Sequence, residues 1–220
     1  MKNATIIFSV ITLLIIVFLS SSSFGQMKMT TQYTNSAMSA DAFKINMRKL
    51  WEDHISWTRN VILCLVDDLP GTDQAVGRLL QNQVDIGNSF KPYYGEEAGK
   101  KLTELLYPHI TIFPEVVKAV KTGNKTTLDE ANKRWYANAD EISEFLSKAN
   151  PEWALADMKM MMHLHLKLTT DEAVQRIKKD YDADVIAYDK IHNEILKMAD
   201  MFSDGIAKQF PEKFKSSASK

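Results

Sequence analysis

The sequence is poor in the residues and motifs that mark several common classes of protein. It has one cysteine among 220 residues, so no disulfide can form within the chain. It has no P-loop, no G-x-G-x-x-G after a strand and no G-x-S-x-G elbow, which argues against nucleotide binding and serine-hydrolase chemistry. No pair of cysteines precedes a histidine, so covalent haem attachment is excluded.

The chain also lacks an excess of charge of either sign. Its 27 lysines and arginines nearly balance 28 acidic residues, for a formal net charge of −1. Both signs are interspersed along the sequence, so we expect neither nucleic acid nor an anionic membrane as a partner. The sequence carries no signal for an oligomeric state.

Long apolar runs are absent except near the N-terminus. Lys2 precedes an apolar run from Ile6 to Leu19, which ends shortly before Gly25. The run has about 14 residues, whereas a transmembrane helix needs roughly 20. This pattern predicts a secretory signal peptide over residues 1–25, cleaved after Gly25. We therefore expect an exported, soluble product, periplasmic or extracellular, without membrane insertion after cleavage.

Between a polar leader and a polar tail, the hydrophobic pattern is helical throughout. Residues 26–40 and 212–220 are polar and aperiodic, which favours a flexible leader and a disordered tail. Six segments with helical periodicity lie between them, and no strand-like alternation is present. Because short connections favour antiparallel neighbours, the sequence predicts an all-α, up-and-down bundle of five to seven helices. This bundle should form one domain over residues 41–211.

Glycine and proline predict the bounds of the first three helices. These helices should cover about residues 41–68, 72–91 and 96–123. Pro108 and Pro114 fall inside the third pattern, so it should be kinked or split into two shorter helices.

Capping residues predict the bounds of the remaining helices. The capping box from Thr127 to Glu130 should begin the fourth helix, and Asn150 and Pro151 should close it and also start the fifth. A second capping box, Thr169 to Glu172, should begin the longest helix, which runs to about Gly205.

A short motif occurs twice in the chain. His54 and Thr58 are four residues apart in HISWT, as are His165 and Thr169 in HLKLT. An aspartate follows each pair on the next helical segment, at Asp85 and Asp184. Two interpretations stay open, namely chance and a loose duplication of a three-helix unit.

Several helices carry polar residues at positions where their apolar stripes predict hydrophobic ones. This holds for the first, fourth, fifth and last helices, and the second adds a run with few charges between Leu79 and Phe90. Gly87 in that run would permit the close approach of a neighbouring helix or a ligand. The candidate ligand-binding residues are His54, Thr58, Asn82, Asp85, Asn88, Asn138, His165, Asp184, Tyr188 and His192.

Buried polar groups without partners cost about 1 to 3 kcal/mol each, so these side chains must satisfy one another or hold something. Three hypotheses follow. The first is an interior cluster that binds a small ligand or metal ion, with no catalysis assigned. The second is a structural or interaction module whose buried His, Asp and Asn network only specifies helix packing. The third is an enzyme of unknown reaction that uses a His and Asp pair.

A divalent metal ion would need three or four converging ligands. His54, His165, Asp184 and His192 are the candidates. A di-iron centre is disfavoured, because only Asp189 to His192 has the carboxylate-x-x-His spacing that such bundles use twice. The run MKMMMHLHL has side chains that favour Cu(I), but His163 and His165 point about 200° apart on a helix and cannot share one ion there.

Four segments together resemble an uncharacterised family of bacterial helical proteins, and the resemblance covers nearly all of the chain after residue 25. The segments are LWEDHISWTR, LLQNQVDIGNSFKPYYG, RWYANADEI and MADMFSDGIAKQFP. Some members carry the labels acetylglutamate kinase or glycosyltransferase. Those activities belong to α/β folds with nucleotide-binding loops, which this sequence does not predict. The resemblance implies a helical fold and transfers no functional residues.

Overall fold

Residues 38–214 form six α-helices followed by one short 3-10 helix in the computed structural model, which describes this part of the chain. The helices are α1 (Ala40–Val66), α2 (Thr72–Tyr94), α3 (Glu96–Thr122), α4 (Lys125–Ala149), α5 (Leu155–Ile177), α6 (Tyr181–Gln209) and the 3-10 helix η1 (Pro211–Lys213). The predicted all-α bundle is thus confirmed. The signal peptide, most of the leader and the last six residues of the predicted tail lie outside the described residues.

The helices pack in chain order and the bundle closes on itself. Each helix contacts the next one, and α1 also contacts α6. Connections are short, down to the single residue Gly95 between α2 and α3, so neighbouring helices run antiparallel. The three odd-numbered helices, α1, α3 and α5, also contact one another. Side chains from these three helices can therefore meet inside the bundle.

Within residues 38–214 no helix combines the length and the apolar composition that crossing a bilayer requires. The apolar faces point into one core instead. Its largest fully buried side chains include Trp135, Trp153, Phe90 and Phe202.

Both predicted capping boxes are wrong. Helix α4 begins two residues earlier than predicted, because the side chain of Asn124 caps it by accepting a hydrogen bond from the backbone N–H of Thr127. Thr169 and Glu172 lie inside α5, where the Thr169 hydroxyl donates to the carbonyl of His165. Helix α6 begins after Asp180, whose side chain accepts from the N–H of Ala183.

The prolines also interrupt the helices less than the sequence predicts. Helix α2 continues through Pro92 to Tyr94, and α3 is one helix that contains Pro108 and Pro114, so it is not split. Each proline removes one backbone hydrogen bond and crowds the carbonyl four residues back, and the extensive packing of α3 against α2 and α4 offsets this cost. Pro151 does lie outside a helix. A turn separates Asn150 from the start of α5 at Leu155, so α5 does not begin at Pro151.

The repeated motif does not fall on equivalent helices of two three-helix units. His54 and Thr58 lie on α1, whereas His165 and Thr169 lie on α5, the second helix of the second half. In both copies the threonine hydroxyl donates to the histidine carbonyl at 2.8 Å. The local geometry is thus shared even though the helix order differs.

Gly87 permits the close approach of α3, as the sequence predicts. A Cβ at Gly87 would lie 2.7 Å from the carbonyl oxygen of Gly99, and a Cβ at Gly99 would lie 2.6 Å from that of Gly87. Both distances are below van der Waals contact and involve backbone, which cannot move aside without separating the helices. The two glycines therefore set the distance between α2 and α3.

The Gly87→Ala variant should lower the free energy of unfolding by about 1 to 3 kcal/mol through overpacking. Gly77→Ala is a matched control on the same helix, because a Cβ there meets no atom within 4 Å. It should stabilise the protein by up to about 1 kcal/mol through helix propensity. Urea unfolding of both variants measures the difference, and equal effects would contradict this role for Gly87.

Candidate metal centre

Three imidazoles meet at the centre of the bundle, one from each odd-numbered helix. His54 on α1, His109 on α3 and His165 on α5 each offer a ring nitrogen, and these three nitrogens lie within 4.8 Å of one another. The ring centroids are 5.7 to 6.2 Å apart. Each residue is only 3 or 4 % exposed. We call these residues the histidine cluster.

The helical repeat explains why these side chains point inward. On α1, the successive residues Met47, Trp51, His54 and Thr58 are four, three and four residues apart, and all of them are buried. His109 has the same position on α3 among Leu105, Ile112 and Val116. On α5, His165 lies between Met162 and Thr169. Each imidazole therefore replaces an apolar side chain of a core-facing stripe.

Burial keeps two rings of the cluster, those of His54 and His109, uncharged. Desolvation, followed by the nearby His165, lowers the pKa of His54 to about 3, while the neighbouring amide of Asn82 acts in the opposite direction. Desolvation also places the pKa of His109 well below its usual value, with further lowering by His165 and His54. At neutral pH both rings are therefore neutral imidazoles, which is the form that binds metal ions.

A buried carboxylate supports one of the rings. The Nδ1–H of His165 donates to Oε2 of Glu194 on α6, with 3.2 Å between the two atoms. A carboxylate behind a histidine fixes the tautomer and leaves Nε2 free as a ligand, an arrangement common in metal sites. Nearby backbone is also held, because the indole N–H of Trp135 donates to the carbonyl of His109 at 2.9 Å.

Several polar atoms in the histidine cluster and beside it have no hydrogen-bonding partner of normal geometry in residues 38–214. These atoms are Nδ1 of His54, Nδ1 of His109, Oε1 of Glu194 and Oδ1 of Asn82. Each such buried atom costs roughly 1 to 3 kcal/mol. A network that served packing alone would be expected to pair these atoms with one another.

Two small cavities flank the histidine cluster, and all three histidines line both of them. Each has a volume of about 10 Å³, which is room for one water-sized particle. Drug-sized organic ligands need pockets of about 300 Å³ or more. The first cavity is otherwise lined by apolar side chains that include Met162 and Met198. The second adds the hydroxyls of Thr58 and Thr169.

The structure brings together some of the residues that the sequence singles out. His54, Thr58 and His165 lie at the cavities, and Asn82 lies next to His54. Asn138 is buried farther out, where its amide donates to the carbonyl of Leu105 at 3.0 Å.

The remaining candidates lie away from the cluster. Asn88 is exposed, and the partly exposed Asp85 accepts from Gln81. Tyr188 lies beneath the guanidinium of Arg59, and the partly exposed His192 is paired with Glu52 at 3.1 Å. None of these four side chains reaches the cavities.

The predicted metal set of His54, His165, Asp184 and His192 is therefore only half assembled. Asp184 is ten residues from Glu194, which is about 15 Å along α6. His192 is two residues from Glu194, about 200° around the helix, so it lies on the other side of α6. Within residues 38–214 the potential ligands that converge are His54, His109 and His165, so His109 takes the place of Asp184 and His192.

His109 and Glu194 are the two site residues that the sequence analysis missed. Both occupy stripe positions that could have revealed them. His109 continues the spacing of Leu105 and Ile112, and Glu194 falls between Ile191 and Met198, with all of these residues buried. The prolines on either side of His109 drew attention to the course of α3 rather than to its polar stripe position.

A second buried polar group lies between α1, α5 and α6, and we call it the arginine cluster. Arg59 binds Asp184 with two hydrogen bonds of 2.9 and 3.0 Å and binds Glu172 at 2.6 Å. Arg176 lies 3.5 Å from Asp184 and also pairs with Asp67. Burial raises the pKa of Glu172 to about 7 although Arg59 opposes the shift. Asp184 thus belongs to an ion network and not to the histidine cluster.

Comparison of the chain with protein-family models, curated proteins and solved structures gives no match. The resemblance seen in the sequence implies no activity either. The function of the histidine cluster must therefore follow from its own geometry and chemistry.

Proposed function

We propose that the protein binds one transition-metal ion at His54, His109 and His165. The observation that carries the proposal is the convergence of three buried imidazoles from three helices. Imidazole nitrogen is a ligand for zinc, copper, nickel and iron. Metal binding at His54 and His109 needs no proton to be removed from these rings at neutral pH, because burial already keeps them neutral.

The distances fit a site that closes slightly around an ion. Ligand nitrogens at 2.0 to 2.1 Å from a metal stand about 3.3 to 3.6 Å apart in tetrahedral or trigonal geometry. In the structure they lie within 4.8 Å of one another. Each ring therefore has to move by less than about 1 Å, which small rotations of the side chains supply.

The size of the cavities favours an ion over an organic ligand. A space of about 10 Å³ on either side of the rings admits one ion or one water molecule. The sealed position of the rings also favours a holding or structural role for the ion over a reaction with a large substrate. A role in packing alone would leave unexplained why the Nδ1 atoms of His54 and His109 lack partners.

Metal loading of purified protein tests the proposal. After incubation with Co(II), Ni(II), Zn(II) or anaerobic Cu(I) and removal of free metal, native mass spectrometry and elemental analysis should find one ion per chain for at least one of these metals. His54→Ala, His109→Ala and His165→Ala should each weaken binding of that metal by more than about 100-fold, since loss of a mere supporting residue already costs 10- to 100-fold.

His163→Ala is the matched control. His163 lies on the same helix two residues before His165, but its partly exposed ring pairs with Asp140 at 2.9 Å. This variant should bind the ion like the unaltered protein. Absence of stoichiometric binding of every metal tested, or equal binding by His109→Ala, would refute the proposal in favour of a purely structural network.

A further inference from the structure

We infer that the ion held by the histidine cluster is Cu(I), with a thioether sulfur of Met162 or Met198 as a further ligand. The inference rests on the proposed metal site and adds the identity of the metal. Both methionines are buried, at 4 and 1 % exposure, and both line the same cavity as the three histidines. That cavity therefore combines imidazole nitrogen with thioether sulfur.

The donor atoms around this cavity select a soft ion. Among the residues that line it, the only side-chain atoms with available lone pairs are the imidazole nitrogens and the two sulfurs, since the others are hydrocarbon or the indole of Trp51. No carboxylate, hydroxyl or amide belongs to its lining in the described part of the chain. Mg²⁺, Ca²⁺ and Mn²⁺ prefer oxygen ligands, whereas thioethers select Cu(I).

Helix periodicity directs both sulfurs to the site. Met162 precedes His165 by three residues on α5, and Met198 follows Glu194 by four residues on α6. Residues at these spacings share one face of a helix. Each thioether is thus one turn from a side chain that already belongs to the site. The flexible methionine side chain can adjust to reach an ion.

The charge of the site favours a monovalent ion. None of the five donor side chains at the cavity is an anion, and the carboxyl group that contacts them is Glu194, hydrogen-bonded to His165. The cost of transferring an ion into an apolar interior rises with the square of its charge. One carboxylate balances Cu(I), whereas a divalent ion would leave a net positive charge in a sealed cavity. Cu(II) also prefers tetragonal nitrogen and oxygen ligands, which this cavity does not provide.

Competition titrations test the identity of the ion. Cu(I) is titrated anaerobically against a chromophoric Cu(I) chelator, and Zn(II) and Co(II) are titrated against their own indicators. One Cu(I) should bind per chain, more tightly than Zn(II), and X-ray absorption at the copper edge should show nitrogen and sulfur neighbours. The double variant Met162→Leu/Met198→Leu should lose the sulfur neighbour and weaken Cu(I) binding by on the order of tenfold or more, with Zn(II) binding unchanged.

Met158→Leu is the matched control, because Met158 is also buried on α5 but does not line the cavity. Exchange of methionine for leucine conserves volume, so all three substitutions should leave the fold intact. Tighter binding of Zn(II) than of Cu(I), or Cu(I) binding that the double variant leaves unchanged, would overturn the inference while the metal site stood. Failure of every metal to bind would refute the proposed site itself.

Discussion

Between pH 6.5 and pH 4.5, proton uptake by His54 in the unfolded chain should cost the metal-free protein about 2 kcal/mol of folding stability, and His109 should add to this cost. Both side chains have a pKa near 6.5 in the unfolded chain, whereas burial lowers the pKa of His54 to about 3 in the folded protein and that of His109 well below its usual value. In this pH range the unfolded state therefore binds protons that the folded state does not bind. The stability is complete above pH 6.5 and is lost progressively as the pH falls toward 3.

Glu172 acts in the opposite direction over part of this range. Its pKa is about 7 in the folded protein against 4.5 in the unfolded chain. The stability that it contributes is present below pH 4.5 and is lost as the pH rises toward 7, so it should offset part of the cost from the two histidines. The net decline should therefore steepen below about pH 4.5, where this compensation ends.

Urea unfolding at a series of pH values isolates the histidine contribution. The difference in unfolding free energy between His54→Gln and the unaltered protein should change by about 2 kcal/mol from pH 6.5 to 4.5, and the change should be larger for His54→Gln/His109→Gln. Met158→Leu, a buried substitution that removes no titratable group, should show no such change. Parallel stability curves for the double variant and the unaltered protein would show that the rings do not remain neutral.

Replacement of Arg59 by methionine should destabilise the protein by about 3 to 5 kcal/mol, because it leaves buried carboxylates without their partner. Glu172 and Asp184 are 0 and 1 % exposed, and Arg59 binds both. Removal of one member of a buried ion network costs more than the network itself contributes, because the remaining charges stay desolvated. The loss should be larger at pH 8 than at pH 6, since Glu172 is protonated at the lower pH.

Arg48→Met is the control for this prediction. Arg48 also binds an aspartate with two hydrogen bonds, at Asp200, but the pair is open to solvent. Its loss should have a much smaller effect on urea unfolding. The triple variant Arg59→Met/Glu172→Gln/Asp184→Asn should recover much of the stability, because no buried charge remains. A triple variant as unstable as Arg59→Met would mean that lost packing, and not desolvated charge, causes the defect.

The number and order of the helices could be predicted because apolar spacing and turn residues report on local structure. The predicted helix start at Thr169 failed because a threonine can also bond the carbonyl four residues back, as Thr169 does. The predicted start at Thr127 failed because Asn124 caps α4 instead. Nothing in the sequence shows that Glu172 pairs with Arg59 on another helix and so belongs to a helix interior.

The sequence predicts which side of a helix faces the core, but not at which level along the bundle each polar side chain lies. A polar residue on an apolar stripe must face the core, which correctly placed His54 and His165 inside the bundle. The stripe does not tell at which level of a neighbouring helix that residue will lie. Asp184 and Glu194 occupy similar positions on the α6 stripe, and only tertiary packing determines that Glu194 is level with His165.

His54, His109 and His165 stand 55 and 56 residues apart along the chain, one on every second helix. An ion bound to all three would close two long loops, as a pair of disulfides would in a chain with more than the single Cys64. It could bind only after the three helices that carry the histidines had formed and aligned, and it would have little affinity for any partly folded segment. At a free concentration 1,000 times its dissociation constant, such an ion adds about 4 kcal/mol to the stability of the native state. Binding of the metal would thus stabilise the chain only after the whole helical bundle had formed.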